Sequence, residues 1–126
     1  MTLIILGEAE KEFAQSVAYY ESKETGLGAR FRNEVAKGMQ RILRHPELLR
    51  LRPKGYRRLN LRVFPHYIAY IIRGETIWIV AIANGHRRPE FWVDRFQGLE
   101  FYRANLRLKN RRWRDRRGPW KVRSRK

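Results

Sequence analysis

The feature that most constrains this chain is a pair of adjacent apolar runs. Tyr67-Ile68-Ala69-Tyr70-Ile71-Ile72 and Thr76-Ile77-Trp78-Ile79-Val80-Ala81-Ile82-Ala83 are separated only by Arg73-Gly74-Glu75. Short continuous runs rich in β-branched and aromatic residues suit strands that are buried on both faces. The charged, glycine-centred break suits a tight turn. The pair predicts a central β-hairpin, and such a hairpin needs other elements to cover it.

The rest of the chain supplies candidates. From Tyr56 to Val63 the alternation puts Leu59, Leu61 and Val63 on one face and Arg58, Asn60 and Arg62 on the other, as in a half-buried strand. Upstream, Phe13, Val17 and Tyr20 recur at helical spacing within roughly Glu8 to Lys23, with Glu8, Glu10 and Glu12 at the end where the helix dipole favours negative charge. After the break at Gly26-Leu27-Gly28, Leu27, Phe31, Val35, Met39 and Ile42 form a second apolar stripe, from roughly Leu27 to Arg44, and Pro46 ends it. Two helices joined by a short glycine turn make a helical hairpin. The apolar run Thr2 to Leu6, stopped by Gly7, reads as a short buried strand. The predicted order is β-α-α-β-β-β, an α+β domain with the helical hairpin packed on one face of a small, mostly antiparallel sheet.

Charge divides the chain in two. The 126 residues carry a net charge of +17, with 17 Lys+Arg against 10 Asp+Glu in residues 1–95 and 12 against 2 in residues 96–126. One domain (1–95) followed by a basic Arg/Trp-rich extension (96–126) is expected, with a helical stretch from about Leu99 to Leu108. A surplus of this size points to a polyanionic partner: nucleic acid, ribosome or an acidic protein. The absence of cysteine excludes a disulfide framework, a thiolate zinc site and a cysteine nucleophile. With only His45, His66 and His86 as histidines, scattered along the chain, neither a metal site nor a cofactor is expected. The apolar N-terminus lacks a basic leader and runs into Glu8-Ala9-Glu10-Lys11-Glu12, so neither a signal peptide nor a membrane span is expected, and a cytoplasmic location is.

An ordered set of residues adds a resemblance. It comprises Ala14, Tyr19 and Tyr20 on the first helix, Phe31, Glu34 and Val35 on the second, and the helix exit Ile42-x3-Pro46. It continues with Arg57 or Arg58, then Phe64-x2-Tyr67-x2-Tyr70, and ends with Ile79-x2-Ile82-x3-His86-x-Arg88-Pro89-x2-Trp92-x2-Arg95. Over about residues 2–95 this resembles the RelE/ParE toxin superfamily of type II toxin-antitoxin systems, in particular its ParE-like, plasmid-stabilisation branch. The resemblance implies a toxin, a cognate antitoxin in a hetero-oligomer, and either of two actions. Some members are ribosome-dependent ribonucleases, while the ParE branch is associated with inhibition of DNA gyrase. Fold membership does not choose between them.

Metal-free RNA cleavage needs a base for the 2'-hydroxyl, cations for the phosphate and an acid for the leaving oxygen. Arg62, Arg87 and Arg88 offer cations, since guanidinium forks bind phosphate bidentately, and His86 can titrate near neutral pH. Where the resemblance leads one to expect a C-terminal tyrosine, the chain has Phe91 and Trp92. Binding an essential target asks only for a surface: Arg57, Arg58, Arg62, Arg87 and Arg88, with Trp92 as an exposed aromatic, are the expected contacts. Blander roles stand beside these: a solvated sheet face for Arg58 and Arg62, a turn for His86, and core capping for Phe91 or Trp92. In the extension, Arg111, Arg112, Trp113, Arg114, Arg116 and Arg117 resemble a nucleic-acid-binding arm, with a disordered tail as the alternative. Such an arm also suits a non-toxic, RNA- or ribosome-binding accessory protein.

Overall fold

The computed structural model describes residues 1–97 and 111–113. In chain order the elements are β1 (Thr2–Ile5), α1 (Gly7–Lys23), α2 (Leu27–Arg44), β2 (Arg57–Asn60), β3 (His66–Arg73), β4 (Thr76–Asn84), a 3-10 turn (Val93–Phe96) and β5 (Arg111–Trp113). The strands form one sheet in the order β2-β3-β4-β1-β5. Only β1 and β4 run parallel; the other pairs are antiparallel.

The two apolar runs occupy the middle of the sheet, as their composition predicts. β3 and β4 pair from His66↔Asn84 to Arg73↔Thr76, with a bulge where Ala69 faces Ala81 but Tyr70 faces Ile79. Val80 is the extra residue, and a bulge of this kind increases the local twist. The helical hairpin covers one face. Gly38 of α2 sits so close to the sheet that a Cβ there would come within 2.9 Å of Ile68 Cδ1 and 3.2 Å of Leu59 Cδ2. Phe13, Phe31, Val35, Met39 and Ile42 fill the space beneath, all buried with Leu3, Ile5, Ile68 and Ile79.

The helix connection depends on two local devices. Gly26 adopts φ 91°, a left-handed conformation that glycine enters without strain. The Glu21 carboxylate then accepts the Gly26 and Gly28 N–H groups at 3.0 Å each, satisfying donors at the start of α2 that have no helical partner.

Alternation assigns Tyr67 to the sheet face opposite Ile68. That face is covered by the segment after β4: Trp92 is 1% exposed, its Nε1–H donates to Tyr67 Oη at 2.7 Å, and Tyr56 meets its ring edge-on at 4.6 Å. The same segment closes the edge of β4. β1 reaches along β4 only to Leu6, whose N–H donates to the Ile79 carbonyl. Beyond it, Ile82 N–H donates to Glu12 Oε1 at 3.0 Å and Arg95 Nη1 donates to the Val80 carbonyl at 2.9 Å. Arg95 Nη2 pairs with Glu12 Oε2 at 2.7 Å, so an ion pair stands where a neighbouring strand would be.

Two expectations are corrected. β2 ends at Asn60 rather than at Val63, and Val63 is 67% exposed. The Glu34 carboxylate accepts the backbone N–H groups of both Arg62 and Val63, and Leu61 N–H turns back to the His66 carbonyl, so the chain leaves the ladder before Pro65. Secondly, residues 111–113, expected in a basic tail, form a fifth strand that pairs antiparallel with β1. The helical stretch expected from Leu99 to Leu108 lies outside the described residues.

Candidate functional site

β4 delivers Asn84 to the end of the sheet, and the chain turns at once. Gly85 N–H donates to the Pro65 carbonyl at 2.7 Å, His86 N–H to Asn84 Oδ1 at 2.8 Å, and Arg87 N–H to the Asn84 carbonyl at 3.1 Å. The asparagine side chain thus mimics a backbone turn and fixes the start of Gly85-His86-Arg87-Arg88. Glu90 takes φ 57°, anchored by Tyr56 Oη–H donating to its Oε2 at 2.7 Å and by Lys54 at 3.1 Å. These two partners hold the exposed Glu90 carboxyl below the usual carboxylate range, the tyrosine hydrogen bond contributing most. The Tyr56 hydroxyl is pushed up to about 12, first by burial and then by Glu90.

A cleft of about 240 Å³ opens between this turn and α1, lined among others by Gln15, Ser16, Tyr19, His66, Asn84 and Arg87. His66 forms its inner wall and is 6% exposed. Ser16 Oγ lies 3.3 Å from its Nε2 and Tyr20 Oη 3.4 Å from its Nδ1. Ser16 and Tyr20 are four residues apart and so share one face of α1. The ring also packs edge-on against Phe31 at 4.9 Å. Burial, followed by the nearby His86, lowers the His66 pKa to about 4. At neutral pH the ring is uncharged, with one hydroxyl donating to it and the other accepting from it. At the mouth, the Arg87 guanidinium lies 3.8 Å from the centroid of Phe91, and Tyr19 is 56% exposed.

The predicted arginines are not one cluster. Arg57 Nε donates to the Leu49 carbonyl at 2.8 Å and braces a loop. Arg58 stacks on Tyr67 at 3.9 Å and donates to Asn60 Oδ1; alternation points it to the opposite face from Arg57. Arg62 is exposed beside α2, where it lines two surface grooves with Glu34 and Lys37. Arg87 and Arg88 are exposed at the turn, and so is His86.

Trp92, expected as an exposed contact, is instead a core residue, because Tyr56, Tyr67 and Phe96 enclose it. Trp113 is 3% exposed and is unavailable for stacking on bases, whereas Arg112 is exposed. Arg114, Arg116 and Arg117 lie outside the described residues, as does the side chain of Arg111.

Sequence reading missed the His66–Ser16–Tyr20 group and the Glu12–Arg95 pair. The Ser16/Tyr20 spacing was a visible signal, but only the fold places His66 against it. Among the described residues no three histidine or carboxylate side chains gather closely enough to hold a metal ion. No helix among them is long and apolar enough to cross a membrane.

With this geometry in place, the family model described as "ParE toxin of type II toxin-antitoxin system, parDE" matches residues 3–89. The chain belongs to that ParE toxin family. The match takes in both helices, β1 to β4 and the Asn84–Arg88 turn; Trp92, Arg95 and β5 lie beyond it. A solved structure titled as the chromosomal ParDE system from P. aeruginosa is similar in fold, with a TM-score of 0.52 and 17% identity. The similarity covers 67% of this chain and 95% of that one. Among curated proteins no sequence matches.

Proposed function

We propose that this ParE-family toxin arrests growth by binding an essential target, DNA gyrase, in the cytoplasm, and that a cognate antitoxin neutralises it by covering the same surface. The observation that carries this reading is the character of the cleft beside the Asn84–Arg88 turn. Its inner histidine is uncharged and engaged by two hydroxyls, so it is poorly suited to move protons at neutral pH. Its mouth presents Arg87, held on Phe91, with Tyr19 and Arg88 exposed nearby, and arginine and tyrosine are frequent anchors at protein interfaces. Arg58 and Arg62 extend the basic surface on either side, and Asn84 fixes the turn.

Exposed His86 beside Arg87 and Arg88 favours a second reading, a ribosome-dependent ribonuclease with His86 as the proton-transfer group. Two assays separate the readings. Purified chain should inhibit supercoiling by gyrase and leave translated messenger intact in a ribosome-containing extract; the reverse result selects the ribonuclease. Expression of the chain alone should stop growth, and co-expression of the protein from the adjoining reading frame should restore it. Unimpaired growth with the folded chain present overturns the toxin reading and favours a non-toxic nucleic-acid-binding role.

A further inference from the structure

β1 is four residues long and uses one edge for β4. Thr2 N–H donates to the Glu75 carbonyl and Leu6 N–H to the Ile79 carbonyl, each at 3.0 Å. Backbone N–H groups along a strand point alternately to its two edges, so Ile4 also faces β4 while Leu3 and Ile5 face away. That outer edge, left open, would present unpaired donors and acceptors beside two buried side chains, which is a template for another chain. β5 occupies it in the register Leu3↔Trp113, Ile4↔Arg112 and Ile5↔Arg111. The phase makes Leu3/Trp113 and Ile5/Arg111 the pairs that exchange both hydrogen bonds, and turns the Arg112 N–H outward. Trp113 is buried against the sheet, and the strand lies outside the family match.

We propose that the outer edge of β1 is a strand-acceptor site whose resident occupant is residues 111–113 of the same chain. The extension thereby closes the toxin domain against strand-by-strand association. Chain length permits the connection: residues 98–110 can span up to about 40 Å, against roughly 5 Å between neighbouring strands. An occupant from this chain also leaves the exposed Arg112 at the new edge, and charged edge residues oppose further pairing. The site is independent of the cellular target.

The chain has no cysteine, so engineered pairs can be read without background. Ile4 and Arg112 are directly opposite in a non-hydrogen-bonded pair, with Cα atoms about 4.5 Å apart, within disulfide reach. The full-length double variant Ile4→Cys/Arg112→Cys should oxidise to a cross-linked monomer. The offset pair Ile4→Cys/Arg111→Cys, with side chains on opposite faces, should not. A cross-linked dimer identifies a second copy as the occupant and overturns the proposal; equal cross-linking of both pairs overturns the register.

Amide exchange on the full chain gives an independent reading. Arg111→Pro removes a donor to Ile5 and should speed exchange at Leu3 and Ile5 by about tenfold or more, while Thr2, Ile4 and Leu6 keep their protection. Arg112→Pro removes only an outward N–H and should leave all five within about twofold. Equal effects of the two prolines, or protection of Leu3 and Ile5 that falls on dilution, would overturn the assignment.

Discussion

Replacing Glu12 by alanine should destabilise the fold by about 3 kcal/mol. The carboxylate does two things: Oε1 accepts the Ile82 N–H at 3.0 Å, and Oε2 pairs with Arg95 at 2.7 Å. The side chains are only 14% exposed for Glu12 and 19% for Arg95, so water replaces little of what is lost. A hydrogen bond to a charged group contributes about 1.5–3 kcal/mol, and removing one partner of a buried pair costs about 3–5 kcal/mol. The lower end applies because Arg95 keeps the Val80 carbonyl and some solvent. For a domain of about 100 residues this corresponds to a fall in Tm on the order of 12–24 °C. Glu12→Gln keeps an acceptor for Ile82 and should cost roughly half as much. Urea unfolding of wild type, Glu12→Ala, Arg95→Ala and the double variant gives the coupling. The double variant should be more stable than the sum predicts by about 1.5 kcal/mol or more. Additive effects, or a cost below about 1 kcal/mol for Glu12→Ala, would refute the idea that this pair stands in for a strand beside β4.

Three other perturbations test different parts of the structure. His66 has a folded pKa of about 4 against an ordinary 6.5, so the unfolded chain binds the proton more readily. Stability is then full above pH 6.5 and is lost as pH falls toward 4, by up to about 3 kcal/mol. His66→Phe, which keeps the ring among Tyr20, Phe31 and Phe64 and leaves His86 and Arg87 nearby, should flatten that loss relative to wild type in urea midpoints at pH 7 and pH 4.5; parallel curves exclude the assignment. Gly28→Ala puts a Cβ 2.9 Å from the Val17 carbonyl oxygen and 3.0 Å from Glu21 Oε1, so it should cost about 1–2 kcal/mol despite alanine's better helix propensity. A rise in thermal stability would show that the helices do not approach so closely. Arg87→Ala removes an exposed head group from Phe91 and should change stability by less than about 1 kcal/mol while weakening gyrase inhibition about tenfold or more. Undiminished inhibition moves the target contact elsewhere.

The parts of this structure that were legible in the sequence are those whose signal is periodic and local. The hairpin of β3 and β4 and the helical stripe through Phe31, Val35 and Met39 are long enough to reveal both type and burial. β2 was misjudged at its end because Leu61 and Val63 continue the alternation in sequence, while Glu34, from a distant helix, captures the backbone and ends the ladder. Trp92 follows a polar, basic motif and looked like a surface anchor. Its burial depends on Tyr56 and Tyr67, which only the folded sheet brings to it. Of the candidate site, the Asn84–Arg88 turn was legible; its partners were not, since His66, Ser16 and Tyr20 come from two elements. Arg111–Trp113 carries too little apolar patterning to announce a strand, and the surrounding charge hides it further.

The parallel pairing of β1 with β4 has a consequence for the order of assembly. The first strand to leave the ribosome cannot find its neighbour until Ile79 has been synthesised, because no earlier segment pairs with it. The helical hairpin, held by local bonds, can form long before that. Sheet closure is therefore a late, long-range step, and the turn at Asn84–Arg88 takes shape only with it. A nascent chain stopped before β4 would hold folded helices and exposed apolar side chains but no basic turn, making it prone to aggregate and unable to act.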